Sequence, residues 1–197
     1  MAVSYSLLAA LAVFSGLSVN LILQCGLCLK NVALEEEYEK KELFSGLGII
    51  FVTVILLWLF FSFIRLILPL GFFEYMLIFP ASCLVYSCLK YFLIRYFVRN
   101  TAIEKEQILF LGGLTSAALF ISLNVAGNLV EATVTALGFT LGIAVVFIII
   151  GEIRRRSVME SVPRLFRDGP LALIAMGLLS LFFSSAAMML YKVLENQ

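Results

Sequence analysis

Six long runs of apolar residues alternate with short polar segments along the chain. They cover residues 3–29, 43–66, 71–97, 108–125, 132–153 and 170–193. A helix crosses the hydrocarbon of a bilayer in about 20 residues at 1.5 Å per residue, and each run is close to that length or longer. The runs are apolar on every side, so helical periodicity says little and length and flanks decide the reading. A backbone in lipid must satisfy its own hydrogen bonds, which predicts a transmembrane helix for each run. The expected fold class is an all-α membrane protein with six transmembrane helices.

The polar segments predict an orientation. Lys30, Lys40 and Lys41 follow the first run; Arg95, Arg99 and Lys105 follow the third. Arg154, Arg155, Arg156, Arg164 and Arg167 follow the fifth. These three loops share one side of the membrane, and the other side has only Arg65 and Lys192, both near run ends. Basic loops face the cytoplasm, so both termini are expected on the outer, periplasmic side of a multi-pass protein. The acidic residues Glu35, Glu36, Glu37, Glu39 and Glu42 carry little weight in that rule. Segment 32–43 reads as a solvated charged loop or a short surface helix with i,i+4 pairs such as Glu36 and Lys40.

Six runs fall into two groups of three. An odd number of spans per copy inverts the second copy, so the pattern predicts two inverted three-helix repeats within a single integral membrane domain, 1–197. The repeats cover about 1–98 and 106–197. Inverted repeats often place their site on interrupted helices near the midplane. Interruptions are expected in the first and fourth helices, at Gln24-Cys25-Gly26-Leu27-Cys28 and at Gly112-Gly113-Leu114-Thr115-Ser116-Ala117-Ala118.

Composition agrees with this picture and narrows the chemistry. Of 197 residues, 62% are hydrophobic, which leaves no room for a separate soluble domain. The mean hydropathy is +1.08. A net charge of +1 gives no basic case for nucleic acid. The first run lacks a basic n-region and is too long for a typical signal-peptide core, so no cleaved signal is expected. Histidine is absent, which removes the commonest neutral metal ligand, the usual proton shuttle and any Ser-His-Asp triad. Neither G-x-x-x-x-G-K-[ST] nor G-x-G-x-x-G after a strand occurs. The chain is not expected to catalyse a reaction alone.

The four cysteines, Cys25, Cys28, Cys83 and Cys88, all lie in apolar runs, and no extracellular disulfide framework is suggested. Cys25 and Cys28 are three apart and would share one helix face. They would suit iron–sulfur ligands, a dithiol redox pair or another soft metal; equally, they are small side chains packed between helices. Cys83 and Cys88, five apart, point to different faces and read as packing. The ionisable residues inside or beside the runs are Glu74, Lys90, Glu131 and Glu152, all expected near an interface, with Lys90 snorkelling. Asn20, Gln24, Asn124 and Asn128 lie near the two interruptions and would line a polar passage or join helices by hydrogen bonds.

Several segments resemble one family. They are Leu137-Gly138-Phe139-Thr140-Leu141-Gly142, Gly151-Glu152-Ile153-Arg154-Arg155-Arg156, Val162-Pro163-Arg164-Leu165-Phe166-Arg167-Asp168-Gly169-Pro170 and Met176-Gly177-Leu178-Leu179-Ser180-Leu181. Leu68-Pro69-Leu70-Gly71-Phe72-Phe73-Glu74-Tyr75 and Gly26-Leu27-Cys28 add to them. Together they resemble the small six-span membrane subunits of the Rnf and Na+-translocating NADH:quinone oxidoreductase complexes, in their RnfA/NqrE branch, as a divergent member. The resemblance covers nearly the whole chain and is strongest after Ala132. Outward termini fit that branch.

The resemblance implies a subunit of an ion-translocating electron-transport complex in the bacterial inner membrane, coupling electron transfer to Na+ or H+ movement. Its implied partners are an inverted-topology paralogue of RnfE/NqrD type, the other subunits and membrane lipid. It also implies a [2Fe–2S] cluster between paired subunits, with two cysteines from each. Cys28 matches the cysteine of the family's G-L-C-P motif, although Leu29 stands in place of the proline. The T-T-N-C motif of the fourth span matches Thr115-Ser116-Ala117-Ala118, so alanine stands where the second ligand is expected. Cys25, beside Cys28, is the remaining candidate for a second iron ligand. A different class, a small secondary transporter or channel-like protein without a redox role, fits the same repeat, as does a purely structural membrane partner.

Overall fold

The computed structural model describes residues 5–20, 22–23, 40–67, 71–97, 105–159 and 169–195. Among them there is no strand, and six α-helices carry the chain. They are α1 (Tyr5–Val13), α2 (Lys40–Ile67), α3 (Phe72–Phe97), α4 (Lys105–Val125), α5 (Leu129–Met159) and α6 (Gly169–Glu195). One π-helical turn, Phe14–Ser18, directly follows α1. Four stretches are long and apolar enough to cross a membrane: Gly46–Ile67, Phe73–Phe92, Leu129–Ile153 and Pro170–Val193. Leu8–Ser18 and Gly113–Val125 are apolar but shorter. The second, third, fifth and sixth expected runs thus fall on helices of spanning length. The fourth falls on α4, whose 21 residues extend about 31 Å.

Two expectations about interruptions meet different results. The fourth helix is continuous: Gly112-Gly113 and the small residues after it lie inside α4, with no break between Lys105 and Val125. Helix-breaking tendency at the glycine pair is overridden because each backbone group finds its partner within the helix, the favoured state in lipid. In the first run the expected interruption, Gln24–Cys28, lies outside the described residues; within them the α-helix Tyr5–Val13 passes into a π turn and ends there. The break is the π turn, where the Val19 N–H donates to the Phe14 carbonyl at 2.8 Å. Val19 then leaves helical geometry at φ −111°, ψ 55°.

The chain packs as two compact units. One holds residues 45–136 and the other holds 1–44 with 137–197. In the first unit, Leu57, Trp58 and Phe61 of α2 cluster with Ile78 of α3, Leu119 and Leu123 of α4, and Ala126 and Ala132. α3 and α4 pack along one another. In the second unit, α1 and its π turn pack against α6. There the Tyr191 hydroxyl donates to the Ala10 carbonyl at 3.3 Å.

Candidate functional site

The 45–136 unit collects its charge where α2 ends and α3 begins. Arg65 lies in the last turn of α2, and Glu74 lies in the first turn of α3. The chain reverses between them, so residues nine apart in sequence meet. Arg65 Nε donates to Glu74 Oε1 at 2.8 Å and Oε2 at 2.9 Å. Its Nη1 donates to the Leu123 carbonyl at 3.0 Å. That carbonyl is among the last four of α4, which have no partner within the helix. One guanidinium therefore ties three helix ends together. Glu74 is 5% exposed, a buried carboxylate in the first turn of its helix. Beside it the Tyr75 hydroxyl donates to Asn124 Oδ1 at 3.3 Å, and Asn124 Nδ2 donates to the Phe120 carbonyl at 2.7 Å.

Glu131 has a local task. It stands three residues after Asn128, which precedes α5. Its Oε2 accepts the Gly127 N–H at 2.8 Å and its Oε1 accepts from Asn128 Nδ2 at 3.2 Å. This capping arrangement satisfies one backbone donor, the Gly127 N–H, and holds the Asn128 side chain at the start of α5. Glu131→Ala should lower stability by about 1 kcal/mol, the usual worth of an N-terminal cap. A thermal melt in detergent checks this; unchanged stability would remove the capping role.

The 1–44 and 137–197 unit has its polar feature at the break in the first helix. Asn20, 1% exposed, accepts the N–H groups of Ile22 and Leu23 on Oδ1 at 3.2 and 3.4 Å. Its Nδ2 donates to the Gly16 carbonyl at 3.3 Å. The side chain thus closes the π turn and caps the turn that follows it. Ser15 is fully buried and donates to the Leu11 carbonyl at 2.8 Å. α5 approaches this place through Gly138 and Gly142. A Cβ on Gly16 would lie 3.2 Å from the Gly138 carbonyl oxygen, and a Cβ on Gly142 would run into the Gly16 carbonyl. π turns are frequent at functional sites.

Of the residues singled out in the sequence, Cys25, Cys28 and Gln24 lie outside the described residues. Cys83 is half-buried and Cys88 exposed, both with free thiols. Lys90 is half-buried and partnered. Glu152 pairs with Arg156 at 3.1 Å and Arg155 at 3.8 Å on the surface of α5. Ala118 is fully buried. Sequence reasoning missed the Arg65–Glu74 pair, although its signal was present as opposite charges flanking Pro69 and Gly71 at the facing ends of two runs. It also missed the close approach of Gly138 and Gly142 to the first helix, whose signal is two glycines four apart within an apolar run.

No family model matches the chain, and no solved structure matches it. Curated relatives do. The A subunit of the ion-translocating oxidoreductase complex of Actinobacillus pleuropneumoniae serotype 5b (strain L20) is 36% identical over 63 residues, 32% of this chain and 33% of the relative. The protein of the same description from Glaesserella parasuis serovar 5 (strain SH0165) is 35% identical over 63 residues, with the same shares covered. The match thus spans about a third of the length of these relatives. By these comparisons the chain is similar, over a third of its length, to the A subunits of ion-translocating oxidoreductase complexes.

Proposed function

We propose that this protein is a membrane subunit of an ion-translocating electron-transport complex of Rnf/Nqr type. The observation that carries the reading is the likeness to the A subunits of such complexes, in a chain whose described residues form helices of membrane-spanning length. In this reading it sits in the bacterial inner membrane with both termini periplasmic. It pairs with an inverted-topology paralogous subunit and supports coupling of electron transfer to Na+ or H+ movement.

A [2Fe–2S] cluster shared with that partner is part of the proposal only through Cys28 and Cys25. The α4 half of such a site does not fit, because Ala117 and Ala118 stand in an unbroken helix and carry no ligand atom. Thiolates bind such clusters, and a methyl group cannot replace one. The test is iron analysis and spectroscopy of the purified complex beside its Cys28→Ala variant. The expected result is loss of the signal in the variant. No iron at this interface, or an unchanged signal, overturns the ligand role of Cys28.

A further inference from the structure

α5 is the most enclosed of the four stretches of spanning length, with 56% of its apolar window buried against 17% for those of α3 and α6. What it leaves open is narrow. Leu137, Leu141, Val145 and Ile148 are exposed, while Phe139, Ile143, Val146 and Ile150 between them are buried. Glu152 and Arg155 continue the same spacing of three or four residues. At about 100° per residue, these six exposed positions fall within about 80° of one another round the helix. They make one open stripe along α5.

The stripe ends in cations. Arg155 and Arg156 lie just past Ile153, where the spanning stretch stops, and fall on its two edges. Both side chains are exposed, at 67% and 71%. Glu152 stands between them, and one carboxylate does not balance Arg154, Arg155 and Arg156. Arg156 Nε donates to Glu152 Oε1 at 3.1 Å, which orients that side chain. Arg155 Nε is 3.8 Å from Glu152 Oε2, beyond a hydrogen bond, so its guanidinium donors are open to a ligand.

We propose that this stripe is a binding site for an anionic phospholipid, with the headgroup phosphate on Arg155 and Arg156 and an acyl chain along Ile148, Val145 and Leu141. The dimensions agree. Leu141 lies about 21 Å along the helix from Arg155. Half of the hydrocarbon core is about 15 Å, and the headgroup region adds about 5–7 Å on each side. A guanidinium and a phosphate form charge-assisted hydrogen bonds, stronger than neutral ones, and arginines at the end of a span favour anionic lipid. A zwitterionic lipid brings its own cation and gains less. Glu152, one turn closer to the hydrocarbon, repels an anion that settles deeper than the arginines. A free phosphate or an acidic protein segment would use the cations and leave the apolar stripe idle. The alignment of both on one helix face selects a lipid.

The site stands or falls apart from the redox reading. The full chain, purified in detergent, is titrated with dioleoyl phosphatidylglycerol and separately with dioleoyl phosphatidylcholine, and bound lipid is counted by native mass spectrometry. Phosphatidylglycerol should bind more tightly. Arg155→Gln with Arg156→Gln should erase that preference, weakening phosphatidylglycerol about 30-fold, the combined worth of two near-surface arginines. Should the double variant not fold, Arg155→Gln alone is read, with about fivefold expected. Lys192→Gln removes an exposed cation outside the stripe and should change nothing. Glycerol 3-phosphate, a headgroup without chains, should not displace the lipid. Equal binding of the two lipids by the wild type overturns the site, as does an unchanged preference in the glutamine variants. An equal loss in Lys192→Gln, or displacement by glycerol 3-phosphate, overturns it as well.

Discussion

Arg65→Leu is expected to destabilise the protein far more than the double substitution Arg65→Leu with Glu74→Leu. The single change leaves a carboxylate whose side chain is 7% exposed without its counter-charge. Removing one partner of a buried pair typically costs 3–5 kcal/mol, because an uncompensated charge remains in a low-dielectric place. The Arg65 side chain is 39% exposed, so solvent already screens part of the interaction. An expected loss of about 2–3 kcal/mol follows once that screening is allowed for. The Leu123 carbonyl loses its donor as well. In the double variant no charge is stranded, and apolar replacement of a buried pair is often close to neutral. The comparison is made by thermal denaturation in one detergent. Equal losses in single and double variants would mean that the pair does not act as a unit.

Gly142→Val is expected to be the other severe change. A side chain at 142 collides with the Gly16 backbone carbonyl and comes within 3.0 Å of Asn20 Nδ2. Backbone cannot swing aside as the end of a flexible side chain does. Overpacking of this kind costs typically 1–3 kcal/mol or more. The damage would reach the break itself, since the Gly16 carbonyl is also the acceptor for Asn20. Gly177→Val is the control: Gly177 lies on the exposed side of α6, where an added Cβ meets nothing within 4 Å. Yield of folded protein by fluorescent size exclusion, with melting midpoints, should fall for the first and hold for the second. Similar behaviour of the two would disprove the close approach of α5 to the first helix.

The helical class and the ends of α2 through α6 were legible in the residues within about three positions, except that α5 continues through the basic Arg154–Arg156 to Met159. Lipid is a solvent that leaves the backbone one local solution, so length and apolarity suffice. The interruptions were less legible. Gly112-Gly113 resembles a breaker, yet α4 passes through it, whereas the break in the first helix falls at Phe14–Ser18, where the expected signal of paired glycines is missing. Helix propensity is a weak prior against the cost of unpaired backbone groups, and the break exists where Asn20 supplies replacement partners. Glu131 was expected near an interface; that its carboxylate would hold the start of α5 was not legible, because the partner is the Gly127 backbone N–H.

The sequence by itself determined that this chain makes apolar helices, placed basic residues on alternate loops, and carried the likeness to oxidoreductase-complex A subunits through short local segments. These properties depend on residue type along the chain, which folding does not alter. The tertiary structure alone decided that Arg65 would meet Glu74 and the Leu123 carbonyl. It also decided that Gly138 and Gly142 would receive the broken first helix, and that the polar groups of α3 would turn inward. Those outcomes depend on which helix faces come together. Runs that are apolar on every side carry no periodic signal of facing, so that choice is made only when the few polar side chains find partners on neighbouring helices.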